Sequence, residues 1–164
     1  MADAPSADID DPVGRRDPPR PDRRSDARER ALYVLYEAAL KSVDPADVLA
    51  AQVTPVDSLT DLLVRGVVTH GDRLDTLIAD RAEGWTLARM PVLDLNVLRL
   101  GAFELAERPD VPVAVVIDEA VELAKRFSTD ASGRFVNGVL SALAREVRVA
   151  TDGPPPGAGE APAE

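Results

Sequence analysis

Arg134 and Phe135, in the run G-R-F-V-N-G-V-L over 133–140, set a cation beside an aromatic ring where the pattern predicts a helix to begin. Val136, Val139, Leu140, Leu143 and Val147 follow at helical spacing and make one apolar seam. Phe135 falls about 100° away from Val136, on the flank of that seam. The first turn of a helix leaves backbone N–H groups unpaired and carries the positive end of the dipole. An aromatic, a cation and open N–H groups suit a single-stranded nucleotide, whose base stacks and whose phosphate is held. The plainer alternative is that Phe135 only seals the edge of a bundle, and spacing leaves both readings open. Asn137 and Gly138 are poorer helix formers than alanine, glycine by about 1 kcal/mol. Gly138 projects away from the seam, which fits either close approach of a ligand or helix, or tolerated slack.

A second group of candidates lies near the N-terminus. Residues 15–30 hold seven arginines against four acids, with Arg23, Arg24 and Arg28 where the first helix should start. Arginine in a first turn opposes the macrodipole, and phosphate contact would give its repetition a purpose; a solvated face is the alternative. Leu32, Leu35, Tyr36 and Ala39 form a stripe that Arg28 continues one turn earlier, with Arg24 near its edge. The Tyr36 ring is expected in the core, with its hydroxyl reaching the rim near Arg28.

Other chemistry finds little support. His70 is the single histidine and cysteine is absent, so no histidine pair, thiol or cysteine-ligated metal is available. No phosphate-binding glycine loop or nucleophile elbow appears. Asp118 and Glu119 read as a solvated helix face. No catalytic residue, metal or cofactor is expected, and the chain is not expected to be an enzyme.

These residues need helices to position them. The 164-residue chain is 45% hydrophobic but only 4% aromatic, so its core must be aliphatic and alanine-rich. Nine of its 14 prolines lie in 1–22 and 151–164, and both ends (1–22, acidic and Pro-rich; 150–164, Pro- and Gly-rich) are expected to be disordered. No apolar run is long enough for a membrane span and no secretory signal is seen, which with the lack of cysteine points to the cytoplasm. The net charge is −10, but residues 1–12 and 150–164 carry seven acids and no base, leaving 22 acids against 19 bases in residues 13–149. A local basic patch is therefore compatible with an acidic chain.

Between the ends the period is helical throughout, which predicts an all-α domain over 23–149 of about seven helices in two bundles, roughly 24–84 and 86–149. The helices are expected over about 26–42, from 45, over 57–83 as one segment with Gly66 and Gly71 bending it or allowing close packing, over 91–107, over 112–127, and from about 132 to 149. Asp44–Pro45 reads as an N-cap followed by proline at the first helical position, and Gly84 as a C-terminal stop. Trp85 is expected to fill the junction between the bundles.

Four blocks carry a resemblance: A-R-E-R-A-L-Y-V-L-Y-E-A (27–38), L-R-L-G-A-F-E-L (98–105), D-V-P-V-A-V-V-I-D-E-A-V-E-L-A-K-R-F (110–127) and F-V-N-G-V-L (135–140). In this order they resemble the NusB transcription antitermination family, over about 23–148. The resemblance implies an all-α fold of two helical bundles. It also implies a factor that binds boxA-type single-stranded RNA together with the ribosomal protein NusE. That assembly joins the RNA polymerase antitermination complex and suppresses premature termination, notably on ribosomal RNA operons. By position it implies RNA contact at the arginine-rich start (Arg23, Arg24, Arg28), at Tyr36, and at Phe135 with its neighbour Arg134. Asp94 matches an acidic position facing the ribosomal protein. Two departures stand out: the arginine run is interrupted by Ser25 and Asp26, and Ala131 stands where an acid is often found. The resemblance favours contact over sealing for Phe135. It leaves two other classes to weigh. One is the RNA-binding domain of ribosomal RNA methyltransferases, for which 164 residues leave no cofactor domain. The other is a homodimeric interaction module.

Overall fold

The computed structural model describes residues 23–148; both Pro-rich ends, with the disorder expected of them, lie outside the described residues. Among the described residues the chain forms seven α-helices and no strand: α1 (Arg23–Lys41), α2 (Pro45–Ala50), α3 (Ser58–Thr69), α4 (Gly71–Ala79), α5 (Val92–Glu107), α6 (Val113–Phe127) and α7 (Asp130–Val147). A single 3₁₀ turn, Leu87–Arg89, precedes α5.

Local chemistry explains most boundaries. The Asp44 side chain accepts from the Ala46 N–H at 2.8 Å, with Pro45 opening α2. Asp57 caps α3 by accepting from the Thr60 N–H at 2.9 Å. Gly84 has φ +76°, a left-handed conformation that glycine adopts without a Cβ clash, but it is not the helix stop expected of it: α4 ends at Ala79, capped by Asp80. Helix α1 begins at Arg23 rather than about 26, and two further boundaries differ from expectation. The segment expected over 57–83 is broken at His70, which ends α3 and begins α4. Gly66 and His70 both meet Phe103 of α5, the glycine in direct apposition and the imidazole at a ring-centroid distance of 5.8 Å. That anchors the end of α3 on α5, while Leu74 and Ile78 of α4 turn into the core. The last helix starts at Asp130 rather than near Ser132, because Thr129 provides the cap, its hydroxyl accepting from the Ser132 N–H at 3.0 Å.

Helix α5 is the axis. It packs against α1, α3 and α4 on one side and α6 and α7 on the other, so the two groups of helices share one continuous apolar core. Its sequence is apolar on almost every face, as a helix surrounded by others must be. Gly101 lets α7 come close: a Cβ there would stand 2.6 Å from the Leu140 side chain. The core is aliphatic and alanine-rich, with Leu32, Leu63, Leu74, Ile78, Leu98 and Leu140 among its fully buried members.

Candidate nucleic-acid interface

Phe135 occupies the first turns of α7, partly buried, leaning on the core with one edge open. Its neighbour Arg134 is exposed and forms no ion pair among the described residues. The ring of Trp85 meets Phe135 at a centroid distance of 6.1 Å and an angle of 56°. Trp85 therefore does not fill the junction between the helical groups: it is 52% exposed and forms a second aromatic wall beside Phe135. The turn that places it is closed by the Trp85 N–H donating to the Ala82 carbonyl at 3.0 Å.

These two rings border a pocket of about 240 Å³, further walled by Met90, Pro91 and Ala131. Its polar residues are Asp94, in the first turn of α5, and Ser132 of α7. The Ser132 hydroxyl donates to Asp94 Oδ2 at 2.7 Å and is itself 3.0 Å from both the Ser128 and the Thr129 hydroxyls. Asp94 Oδ1 has no hydrogen-bond partner among the described residues, although Asp94 is only 4% exposed. An orphan buried acceptor of this kind costs about 1–3 kcal/mol. Asp94, expected on a surface facing a protein partner, is thus buried beside the Phe135 pocket.

The arginine-rich start divides into two environments. Arg23 and Arg24 are exposed. Arg28 is 4% exposed and held by a bidentate pair to Glu104 of α5, Nε to Oε2 at 2.9 Å and a terminal nitrogen to Oε1 at 2.8 Å. Glu119 stands 3.9 Å away on the other side and accepts from the Ser25 hydroxyl at 2.8 Å. The Arg28 guanidinium is therefore spent within the protein rather than offered to a phosphate. Its place on the apolar stripe of α1 already turned it inward; its partner 76 residues later could not be read from local pattern. Tyr36 is partly buried on the same helix.

Sequence reasoning passed over a further aromatic–cation cluster. Tyr33, 49% exposed, packs edge-on against Phe127 with centroids 5.4 Å apart and an interplanar angle of 69°. The Arg126 guanidinium lies 4.8 Å from the centre of the Phe127 ring and pairs with Glu29 at 3.0 Å. Tyr33 sits one position beyond the α1 stripe, which is the signal that could have marked it. The cluster ties α1 to the end of α6, between the arginine-rich start and the first turn of α7. The two ends of the candidate surface are set apart by α5. Arg28 is at its Glu104 end and Phe135 at its Asp94 end, ten residues or about 15 Å of helix apart.

A larger hollow of about 360 Å³ lies elsewhere, around Val43, Val67, Asp75, Asn96 and Arg99, and contains none of the residues expected to bind RNA. Among the described residues no cluster of His, Asp or Glu could hold a metal ion, and no helix is long and apolar enough to cross a membrane.

Comparison with known proteins agrees with this architecture. A sequence model described as the NusB family matches residues 25–145. The transcription antitermination protein NusB of Saccharopolyspora erythraea is 54% identical over 127 residues, which cover 74% of this chain and 86% of that protein. Among solved structures, NusB of T. maritima superposes with a TM-score of 0.69 at 35% identity, over 75% of this chain and 91% of the other. A chain from the crystal structure of the antitermination factors NusB and NusE in complex with dsRNA superposes with a TM-score of 0.60 at 28% identity, over 75% of this chain and 96% of that one. The family match spans both helical groups and includes Arg28, Asp94 and Phe135, and the chain belongs to the NusB family.

Proposed function

We propose that this protein is a transcription antitermination factor that binds boxA-type single-stranded RNA jointly with the ribosomal protein NusE. In this reading it joins an RNA polymerase complex in the cytoplasm and suppresses premature termination, notably on ribosomal RNA operons. The observation that carries the reading is the open aromatic edge of Phe135 and Trp85 beside the exposed Arg134, at the start of a capped helix. Such an edge supplies base stacking and phosphate attraction together. The RNA contacts proposed are Phe135, Arg134, Arg23 and Arg24, with Tyr36 at the margin and Tyr33 and Arg126 added from the structure. Arg28 is assigned the supporting part of fixing α1 on α5. The solved relative containing NusE and RNA supports joint binding, and the acidic balance of this chain suits a basic protein partner.

The test is a titration of wild type and Phe135→Ala with boxA-like RNA in the presence of NusE. Loss of one stacked base should weaken binding by about 1–3 kcal/mol, with the helical circular-dichroism signal retained. Undiminished affinity would remove Phe135 from the interface.

A further inference from the structure

The pocket between Trp85 and Phe135 has the chemistry of a selective site rather than of a stacking surface alone. Its walls are apolar and aromatic, and it is smaller than the roughly 300–1,000 Å³ typical of sites for drug-sized ligands. That suits a single planar ring. The polar residues give it one unmet demand. Ser132 already serves Asp94 Oδ2, while the buried Oδ1 is an acceptor without a donor among the described residues. The last torsion of an aspartate is soft, and rotation about it is what would bring Oδ1 to a donor in the pocket. Arg134 and Arg89, each adjoining a pocket residue in sequence, are both exposed, and such cations are the usual partners of phosphate.

We propose that this pocket takes the base of one unpaired ribonucleotide and that Asp94 selects a base with an exocyclic amino group, cytosine over uracil among the pyrimidines. The proposal rests on the RNA-binding reading above and adds to it which base the pocket admits. Cytosine presents an N4 amino donor to a carboxyl acceptor. Uracil has a carbonyl at the same ring position, which would set acceptor against acceptor and leave Oδ1 unpaired. The two rings are nearly equal in size, so stacking alone discriminates little between them. Base pairing occupies the same amino group, so the site requires a single strand.

Trp85 is the only tryptophan of the chain, and its fluorescence reports directly on the pocket. The full-length protein, with and without NusE, is titrated with uridine-rich oligoribonucleotides of equal length that differ by one cytidine. Total binding is followed in parallel by anisotropy of a label on the RNA. The cytidine oligomer should quench Trp85 at a concentration at least about fivefold lower, the low end of what one correct base-edge contact discriminates. Asp94→Asn, which keeps an acceptor for Ser132 and adds an amide donor, should close or reverse that gap. The wild-type comparison stands whether or not the variant folds. Equal quenching by both oligomers, or binding by anisotropy with no quenching, would overturn base selection here while leaving RNA binding intact. Quenching by NusE alone, with no cytosine preference, would assign the pocket to a protein side chain and overturn the proposal. No RNA binding under any of these conditions would overturn the functional reading itself.

Discussion

Two arginines carry opposite burdens, and mutating them separates structure from binding. Arg28 is buried in a bidentate pair with Glu104. Removing one member of such a pair strands a buried charge, so Arg28→Ala should cost about 3–5 kcal/mol of stability in chemical denaturation. Arg134 is exposed and forms no ion pair among the described residues. Arg134→Ala should leave stability within about 0.5 kcal/mol of wild type and lower the slope of log affinity for RNA against log salt by about one. An unchanged slope would take Arg134 off the phosphate path. The flank position of Phe135 was legible in the sequence, because a 100° step from an apolar seam is a local fact. The burial of Asp94 was not: its partner Ser132 lies 38 residues away on another helix. Trp85 was misplaced for a similar reason, since nothing in the neighbouring residues says that the turn after Gly84 presents the indole outward against α7.

The elements that hold the site depend on close packing and caps. Gly66 faces the Phe103 ring so closely that an added methyl group would overlap it. Gly66→Ala should therefore destabilise the protein by about 1–3 kcal/mol through overpacking, read as a lower denaturation midpoint, with a neutral result contradicting the packing described. At the start of α3, burial raises the Asp57 carboxyl, but the hydrogen bonds it accepts from the Thr60 hydroxyl and N–H, aided by Arg30, outweigh that and hold it below its ordinary value. A depressed folded-state value means stability that is present at neutral pH and lost as the pH falls through that value. Asp57→Ala should cost about 1 kcal/mol at neutral pH as a lost cap, and the difference from wild type should shrink on acidification. Helices were readable because their period and caps are local; Asp44 and Asp57 each announce a helix start, whereas Gly84 was read as the stop of a helix that ends at Ala79. The break at His70 was not, because the pattern of Leu62, Leu63, Val67, Leu74 and Leu77 runs on helically across it and only the docking of α3 on α5 fixes the turn.

At the scale of the whole molecule, the fold makes α5 a shared axis, with the arginine-rich α1 packed against it and the Phe135 pocket formed between its first turn and α7. The net charge of −10 opposes RNA as a bulk property, so affinity must come from local contacts and from a basic partner bound alongside. Joint, sequence-selective recognition of RNA is tested by titrating the protein with boxA-like and scrambled single-stranded RNA, each with and without NusE. Weak binding by the chain alone, a marked gain with NusE, and a preference for the boxA-like strand in the joint complex are expected. Equal affinity for both strands in the presence of NusE, or no gain on adding it, would refute joint recognition.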